Sequence, residues 1–226
     1  MERALSARLR TVPTSTAETV LRALGVERFA INALRLLAGA EAIAGPARTL
    51  RFLPARADFV SPKGKLQRGL IDSLREGEIL VIDALGTLDA AALGDMLAGR
   101  AKALGAAGVV VDGVVRDVAG LRAMGLTVHA RGAYPTPSPG RLMPWECDVP
   151  IQCGGVLIFP GDYVIADLDG VVVVPAALAE EVARRGQAMN ADDEISQRLL
   201  AEGRPLDQAY PLPPEAKAPP EAKAGA

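Results

Sequence analysis

The residues best suited to chemistry lie just after an apolar run. Residues 108–113 (GVVVDG) are typical of a strand buried on both faces, and Arg116 and Asp117 follow at the start of a predicted helix. Ligands of α/β proteins bind at the carboxyl ends of strands. An arginine there can hold a carboxylate through two parallel hydrogen bonds, and the adjacent aspartate can hold a divalent cation. The alternative is that Asp117 caps the helix and Arg116 is a solvated surface charge.

A second candidate is the segment Gly94-Asp95-Met96-Leu97, which falls within a helix predicted over residues 87–104. If a helix begins at this glycine, its unpaired N–H groups form a site for an anion such as a substrate carboxylate. Asp95 would then lie beside the anion and could orient a water molecule. The alternative is a kink within a longer helix.

Several other kinds of active site are excluded by the sequence. It contains a single histidine, His129, which lies in a predicted strand and is expected to be half-buried there. A Ser-His-Asp or Cys-His mechanism would depend on this residue, and no Gly-x-Ser-x-Gly elbow accompanies it. The nucleotide-binding patterns GxxxxGK[ST] and GxGxxG are absent. Carboxylates, arginines and backbone amides remain, and carboxylate ligands favour Mg²⁺ or Mn²⁺.

Composition narrows the class of partner and the compartment. Half of the 226 residues are hydrophobic, the formal net charge is −2, and the pI is near 5.6, so nucleic acid is not an expected partner. No apolar run reaches the roughly 18–20 residues that cross a bilayer, and the N-terminus lacks a signal-peptide core. We therefore expect a cytoplasmic protein. Its two cysteines, Cys147 and Cys153, are expected to be reduced, and they are too few for a zinc site.

Hydrophobic periodicity and turn residues predict an α/β fold. Helices are predicted over 16–25, 69–75, 87–104, 116–125, 176–188 and 191–202, and strands over 47–53, 78–84, 108–113 and 126–130. Residues 29–37 are either a helix or irregular, and 54–68 and 133–146 are loops. Short strands within 154–175 form a small β meander packed on the α/β half.

The chain is predicted to hold one domain and a tail. Residues 1–211 form the domain. Residues 212–226 contain the direct repeat PPEAKA, which has little apolar surface to bury, and are predicted to be a disordered tail.

A set of motifs in a fixed order resembles a known superfamily. These motifs are Ala44-Gly-Pro-Ala-Arg-Thr49, Gly94-Asp95 with Leu97-Ala98, residues 108–117, Gly154-Gly-Val156, Pro160-Gly-Asp162 and residues 167–175 (DLDGVVVVP). Together they resemble the superfamily that contains 4-hydroxy-4-methyl-2-oxoglutarate/4-carboxy-4-hydroxy-2-oxoadipate aldolases and the regulator of ribonuclease activity A. The resemblance covers roughly residues 14–210.

The resemblance implies a fold, an assembly and a role for each candidate residue. It implies a compact αββα swivelling-type fold and a homotrimer or hexamer with active sites between subunits. Arg116 would bind the oxo acid and stabilise the enolate, and Asp117 would ligate Mg²⁺ or Mn²⁺. The backbone N–H groups of Gly94, Asp95, Met96 and Leu97 would receive the substrate carboxylate. Asp95 would position a water that protonates the enolate.

The resemblance also implies an acidic residue donated by the C-terminal region of a neighbouring subunit. The candidates are Asp192, Asp193 and Glu194, of which Glu194 is preferred. The alternative is that Asn190 caps a helix and the acids occupy its first turn.

Three functions are consistent with this pattern. The preferred one is a metal-dependent carbon–carbon lyase that performs aldol cleavage or oxaloacetate decarboxylation through a pyruvate enolate. The second is a non-catalytic protein that binds a ribonuclease, and the third is a sugar-acid dehydratase that uses the same metal site.

Two departures from the family pattern leave the substrate open. The Ser-Asp-Ala-Leu pattern common near the N-terminus in the family is replaced here by Ser15-Thr-Ala-Glu. The stretch 145–155, with Arg51 and Arg56 upstream, resembles a regulator-like subgroup. These two arginines could recognise a second carboxylate or phosphate, and pairing with surface acids is the preferred alternative.

Overall fold

The structure of the protein is a computed structural model that describes residues 2–39, 42–213 and 216. The helices are α1 (Glu2–Arg10), α2 (Thr14–Ala23), α3 (Leu66–Asp72), α4 (Asp95–Ala103), α5 (Val118–Met124), α6 (Ala179–Ala201) and α7 (Leu206–Ala209), with a 3₁₀ turn at Ala176–Leu178. The strands are β1 (Ala30–Ile31), β2 (Arg35–Ala38), β3 (Ile43–Pro54), β4 (Ile79–Leu93), β5 (Gly108–Val115), β6 (Thr127–Ala133), β7 (Leu142–Cys147), β8 (Ile151–Cys153), β9 (Val156–Ile158), β10 (Tyr163–Ala166) and β11 (Val171–Val174).

A large mixed sheet organises the molecule and confirms the predicted α/β class. Strands β3, β4, β5 and β6 are parallel, and antiparallel strands extend the sheet on both sides in the order β1-β11-β10-β3-β4-β5-β6-β2, with β7 also paired to β3. Every residue of β5 is buried, as a strand covered on both faces requires. The predicted meander is divided: β10 and β11 belong to the large sheet, and β9 forms a separate hairpin with β8.

Apolar side chains fill three layers around this sheet. One layer packs α3, α4 and α5 against the face formed by residues such as Leu80, Ile82 and Val111. The opposite face, with Val81 and Val110, is covered by the β8–β9 hairpin. A third layer packs α1, α2 and α6 on β10 and β11. Each fully buried aliphatic side chain contributes about 1.5–3 kcal/mol, so this packing stabilises the parallel strands that carry any site at their ends.

Four predictions about local structure are wrong. Residues 87–93 continue strand β4 and do not begin a helix, because Ala91 and Leu93 pair with β5 and the segment from Ala90 onwards is buried. Residues 29–37 contain β1 and β2, and the predicted loop 133–146 contains the start of β7. The helices predicted over 176–188 and 191–202 form one helix, α6, in which Asn190 donates a hydrogen bond to the carbonyl oxygen of Thr11 and caps nothing.

The other predicted elements have counterparts in the structure. The strands expected over 47–53, 78–84, 108–113 and 126–130 correspond to β3, β4, β5 and β6, and the helix expected over 116–125 corresponds to α5. In the part of the chain that is described, no helix combines the length and the apolar surface that a bilayer crossing needs. The predicted tail, 212–226, lies mostly outside the described residues.

Candidate functional site

A cleft of about 640 Å³ opens at the carboxyl ends of β4 and β5. Its inner wall comprises Leu93–Leu97 together with Arg116 and Asp117. Its outer wall comes from the loop between β3 and α3, the start of α3, and the loop between β6 and β7. A volume in this range suits a small organic molecule.

The last residues of the two strands hold the inner wall in place. Leu93 pairs with Val115, and the backbone N–H of Arg116 donates to the carbonyl oxygen of Leu93 over 2.9 Å. Beyond this pair β4 leads into α4 through Gly94, and β5 leads into α5 through Arg116 and Asp117. The two candidate segments are therefore fixed to each other by backbone hydrogen bonds.

Asp117 has a strained backbone and a carboxylate that caps no helix. Its φ of 58° lies in the left-handed region, which Asp tolerates better than most residues. Its backbone carbonyl accepts from the N–H of Leu121, but its side chain makes no capping hydrogen bond. The carboxylate is 39% exposed in the cleft and lies 3.2 Å from Nε of Arg116. The capping alternative is thus not what the structure shows, and the carboxylate oxygens are accessible to a ligand.

Gly94 allows α4 to begin directly beside this pair. A Cβ atom at position 94 would lie 2.6 Å from Oδ2 of Asp117 and 3.2 Å from Nε of Arg116. Its φ of −133° is accessible to any residue, so the space decides its identity. Helix α4 begins at Asp95, as one of the two alternatives predicted, and its first N–H groups lack partners within the helix. The guanidinium and the positive end of α4 therefore face one small volume.

Asp95, Met96 and Leu97 occupy the first turn of α4 in different ways. Asp95 is half-buried, and its carboxylate lies so close to Gly120 that a Cβ there would be 3.0 Å from Oδ2. Leu97 packs on the apolar core. Met96 lines the cleft and is 82% exposed.

Two acidic residues are available to a metal ion at this position: the partly exposed Asp117 and the nearby Asp95. Among the described residues no group of three or more histidine, cysteine, aspartate or glutamate side chains is close enough to enclose a cation. Mg²⁺ is commonly bound by one or two carboxylates, with water and substrate completing its shell. Asp117, with Asp95 near it, fits such an open site. Glu194 is exposed on α6, which packs on α1 and α2 and does not line the cleft. Its predicted contribution from a neighbouring subunit remains a prediction.

Comparison with known proteins assigns the chain to a family. The family described as "RraA-like: Aldolase/RraA" matches residues 14–173, a span that includes both strands and both segments of the inner wall. The chain belongs to this RraA-like family. The predicted resemblance is confirmed.

Individual relatives cover nearly the whole RraA-like chain. A protein of Halalkalibacterium halodurans named "Putative 4-hydroxy-4-methyl-2-oxoglutarate aldolase" is 33% identical over 201 residues, which are 89% of this chain and 90% of the relative. The crystal structure of Streptomyces coelicolor RraAS2, described as an unusual member of the RNase ES inhibitor RraA protein family, is 35% identical with a TM-score of 0.76 and covers 89% of this chain and 96% of its own. An uncharacterized protein from Pseudomonas syringae pv. tomato is 25% identical with a TM-score of 0.81 over 92% of this chain and 96% of its own.

The two arginines proposed for a second anion have acidic partners in the RraA-like structure. Arg51 donates to Glu146 over 3.0 Å and to the carbonyl oxygen of Pro150 over 2.6 Å. Arg56 lies at the rim of the cleft and binds both carboxylate oxygens of Asp58. The preferred alternative, pairing with nearby acids, is therefore confirmed for both.

The sequence did not indicate a buried polar cluster under the β8–β9 hairpin. Asp112 is buried inside β5. Its carboxylate accepts hydrogen bonds from Arg131 and from the backbone N–H of Gly154. Asp83 lies opposite it on β4, and burial together with the charge of Asp112 raises the pKa of Asp83. Gln152 contacts both carboxylates. Asp112, an acid inside the otherwise apolar run 108–115, was the feature of the sequence that could have indicated this cluster. These groups hold the hairpin on the sheet and lie outside the cleft.

His129 and the two cysteines have no part in the cleft. His129 is fully buried, and its Nε2 lies 2.8 Å from the carbonyl oxygen of Asp167. Burial lowers the pKa of this imidazole. Burial raises the pKa of Cys147 and of Cys153, and neither forms a disulfide. A larger cleft of about 1150 Å³ lies at the opposite, amino ends of the parallel strands, away from these candidate residues.

Proposed function

We propose that this RraA-like protein is a divalent-metal-dependent lyase that cleaves a carbon–carbon bond of a 2-oxo acid by retro-aldol cleavage or by decarboxylation of oxaloacetate. The proposal rests on one observation. At Gly94, the positive N-terminal end of α4 lies beside the guanidinium of Arg116 and the carboxylate of Asp117, which makes no capping hydrogen bond. Positively charged groups that can bind an oxo acid and a carboxylate that can bind a cation therefore lie next to each other in the cleft.

The substrate carboxylate would bind at the first turn of α4. The N–H groups of Asp95, Met96 and Leu97 have no acceptor within the helix, and the helix dipole favours an anion there. The adjacent guanidinium of Arg116 donates to the oxo acid in the plane of its oxygens. Substrate bound in this way places its 2-oxo group toward Asp117.

Asp117 is the proposed protein ligand of Mg²⁺ or Mn²⁺. When bound there, the cation supplies Lewis-acid polarisation of the 2-oxo group. An acidic residue from a neighbouring subunit, for which Glu194 is our candidate, would add a second contact in a homotrimer or hexamer. Light scattering on the purified protein tests the assembly, and Glu194→Gln tests whether the acid affects metal affinity.

In the cleavage step the electrons move toward the 2-oxo group. The hydroxyl proton at C4 is lost to solvent or a base, the C3–C4 bond breaks, C4 becomes a carbonyl, and the bonding pair forms the enolate of pyruvate. Arg116 stabilises the negative charge that develops on the enolate oxygen. A water oriented by Asp95 then protonates C3 and releases pyruvate. Decarboxylation of oxaloacetate follows the same path, with CO₂ as the fragment lost.

The comparisons support a lyase and also leave a second candidate. One relative at 33% identity carries an aldolase name, whereas the Streptomyces coelicolor structure at 35% identity belongs to a family described as ribonuclease inhibitors. A protein that only binds a ribonuclease would not need a carboxylate, a guanidinium and a helix terminus facing one another in a cleft. This arrangement therefore favours the enzyme. A sugar-acid dehydratase would use the same groups and would differ only in breaking a carbon–oxygen bond instead of a carbon–carbon bond.

Pyruvate release is the test. Oxaloacetate and 4-hydroxy-4-methyl-2-oxoglutarate are supplied with Mg²⁺, Mn²⁺ or EDTA, and pyruvate is followed with lactate dehydrogenase against blanks that contain metal but no protein. Loss of a single charge-stabilising donor costs about 10²–10³-fold in rate, so Arg116→Ala should fall by that factor. Asp117→Asn should lose metal-dependent activity and weaken Mn²⁺ binding.

Matched controls separate the site from general effects of charge. Arg22→Ala and Asp169→Asn change exposed residues outside the cleft and should retain full activity. Absence of pyruvate from the folded, metal-loaded protein would refute the pyruvate-forming proposal. Sugar-acid dehydration and ribonuclease binding would then be assayed on the same samples.

A further inference from the structure

The end of β4 that leads into α4 is held by neighbouring elements on more than one side. The backbone N–H of Ala91 donates to the carbonyl oxygen of Thr136, in the loop between β6 and β7, over 2.8 Å. The carbonyl oxygen of Leu93 accepts from the backbone N–H of Arg116, just after β5, over 2.9 Å. Both contacts join backbone groups, so their formation does not depend on the identity of a side chain.

The residue between them, Ala92, is held by a side chain. Nε2 of Gln67, the second residue of α3, donates to the carbonyl oxygen of Ala92 over 2.8 Å. Gln67 is half-buried and lines the cleft, whereas Ala92 is buried. Removing the donor of a buried carbonyl group costs free energy, because water cannot readily replace it. Gln67 therefore fixes the backbone of β4 two residues before Gly94.

Helix α3, which carries Gln67, is itself anchored in the core. Its Leu70 and Ile71 are buried among the apolar side chains that cover the sheet. At its other end Asp72 accepts from Nε of Arg100, on α4, over 2.7 Å. The side chains of this ion pair are 59% and 52% exposed, and exposed pairs contribute little to stability. The Asp72 contact therefore provides a matched control for the Gln67 contact on the same helix.

We infer that Gln67 is a positioning residue that fixes where α4 begins relative to Arg116. This inference rests on the proposed function, in which the first turn of α4 binds the substrate carboxylate. Asp117, the proposed metal ligand, follows β5 and begins α5, so its place depends less on a contact made to β4. Loss of the Gln67 contact should therefore impair the binding and turnover of the oxo acid more than the binding of the cation.

Two substitutions of Gln67 test this role through kinetics. Gln67→Leu removes the donor at similar size, and Gln67→Asn keeps a carboxamide that is one methylene shorter and no longer reaches Ala92. Because a displacement of 1 Å can cost about 10²-fold in rate, both variants should lower kcat/KM for pyruvate release by roughly 10- to 100-fold. The dissociation constant of Mn²⁺ should stay close to that of the parent. Asp72→Ala should leave both quantities unchanged.

Amide hydrogen exchange, followed by mass spectrometry, tests the position of α4 without any turnover. In Gln67→Leu, exchange should accelerate over residues 91–99, which include the N–H of Ala98 that donates to the carbonyl oxygen of Gly94. Exchange over β5 should not change, and Asp72→Ala should exchange like the parent in both regions.

The possible results separate the role of Gln67 from the proposed reaction. Unaltered exchange over residues 91–99 would overturn the role of Gln67, as would a normal kcat/KM of Gln67→Leu in an active protein. Equal losses of Mn²⁺ affinity and of kcat/KM would also overturn it, because Gln67 would then support the whole site and not the start of α4. Faster local exchange in a protein whose parent releases no pyruvate would instead refute the lyase proposal alone.

Discussion

Replacing Gly94 with alanine should damage the site far more than the fold. The new Cβ would lie 2.6 Å from Oδ2 of Asp117, whereas normal van der Waals spacing is about 3.5 Å. The carboxylate must therefore move by roughly 1 Å, and Arg116, at 3.2 Å, must move with it. Misplacement by 1 Å can cost about 10²-fold in rate, equivalent to about 2.7 kcal/mol in the activation barrier.

The cost of Gly94→Ala to stability should be small. The backbone at position 94 is extended and accepts any residue, and the clashing atoms belong to two partly exposed side chains, Oδ2 of Asp117 and Cγ and Nε of Arg116. Alanine is a poorer N-cap than glycine, so the expected loss is about 0.5–1 kcal/mol. Urea unfolding measures this loss, while pyruvate release and Mn²⁺ titration measure the site.

Gly99 in the same helix provides the control. A Cβ there would meet only the terminal methyl of Met124, at an ordinary 3.8 Å. Gly99→Ala should therefore stabilise α4 by about 0.5–1 kcal/mol and leave activity unchanged. Normal activity and Mn²⁺ affinity in Gly94→Ala would refute the geometric reasoning. A loss of several kcal/mol in its unfolding free energy would show that this glycine serves the fold instead.

Three further predictions concern the fold. Gly186→Ala places a Cβ 2.5 Å from a methyl of buried Val12 and should lower the unfolding free energy by about 1–3 kcal/mol, which an unchanged urea midpoint would contradict. Because burial raises the pKa of Asp83 in the folded state, the stability contributed by its protonated form is present at low pH and is lost as pH rises through that raised pKa. Asp83→Asn should consequently gain stability relative to the parent as the pH rises above the ordinary carboxyl range, and a pH-independent difference would exclude this role. Burial also raises the pKa of Cys153, so in Cys147→Ser a thiol reagent at pH 8 should react only after denaturant is added; rapid labelling of the native variant would argue against it.

The parallel strands were predictable because their apolar runs leave few alternatives, but several neighbouring elements were not. Residues 87–93 are rich in alanine and leucine, which favour helices, yet pairing with β5 and burial override that preference. Residues 29–37 likewise have a helical composition and become strands because β11 and β6 offer them partners. Such long-range pairings leave no trace in local periodicity.

The candidate site was predictable in its members but not in its geometry. Residue type and position after a strand indicated Arg116 and Asp117, whereas Gly94 was indicated by a possible helix start within residues 87–104 and by the family resemblance. The left-handed backbone of Asp117 and the close approach of α4 depend on the register between β4 and β5, which no local pattern reveals.

The cleft has an inner wall of strand ends and an outer wall made largely of loops, and this division affects how the protein can evolve. Insertions and substitutions are tolerated in surface loops far more readily than at paired strand residues. The outer wall can therefore diverge and accept new molecules while the reacting groups stay in place. After gene duplication, changes in the residues of the outer wall would generate enzymes that share one reaction but act on different substrates. Relatives with about one third of their residues identical therefore need not share a substrate.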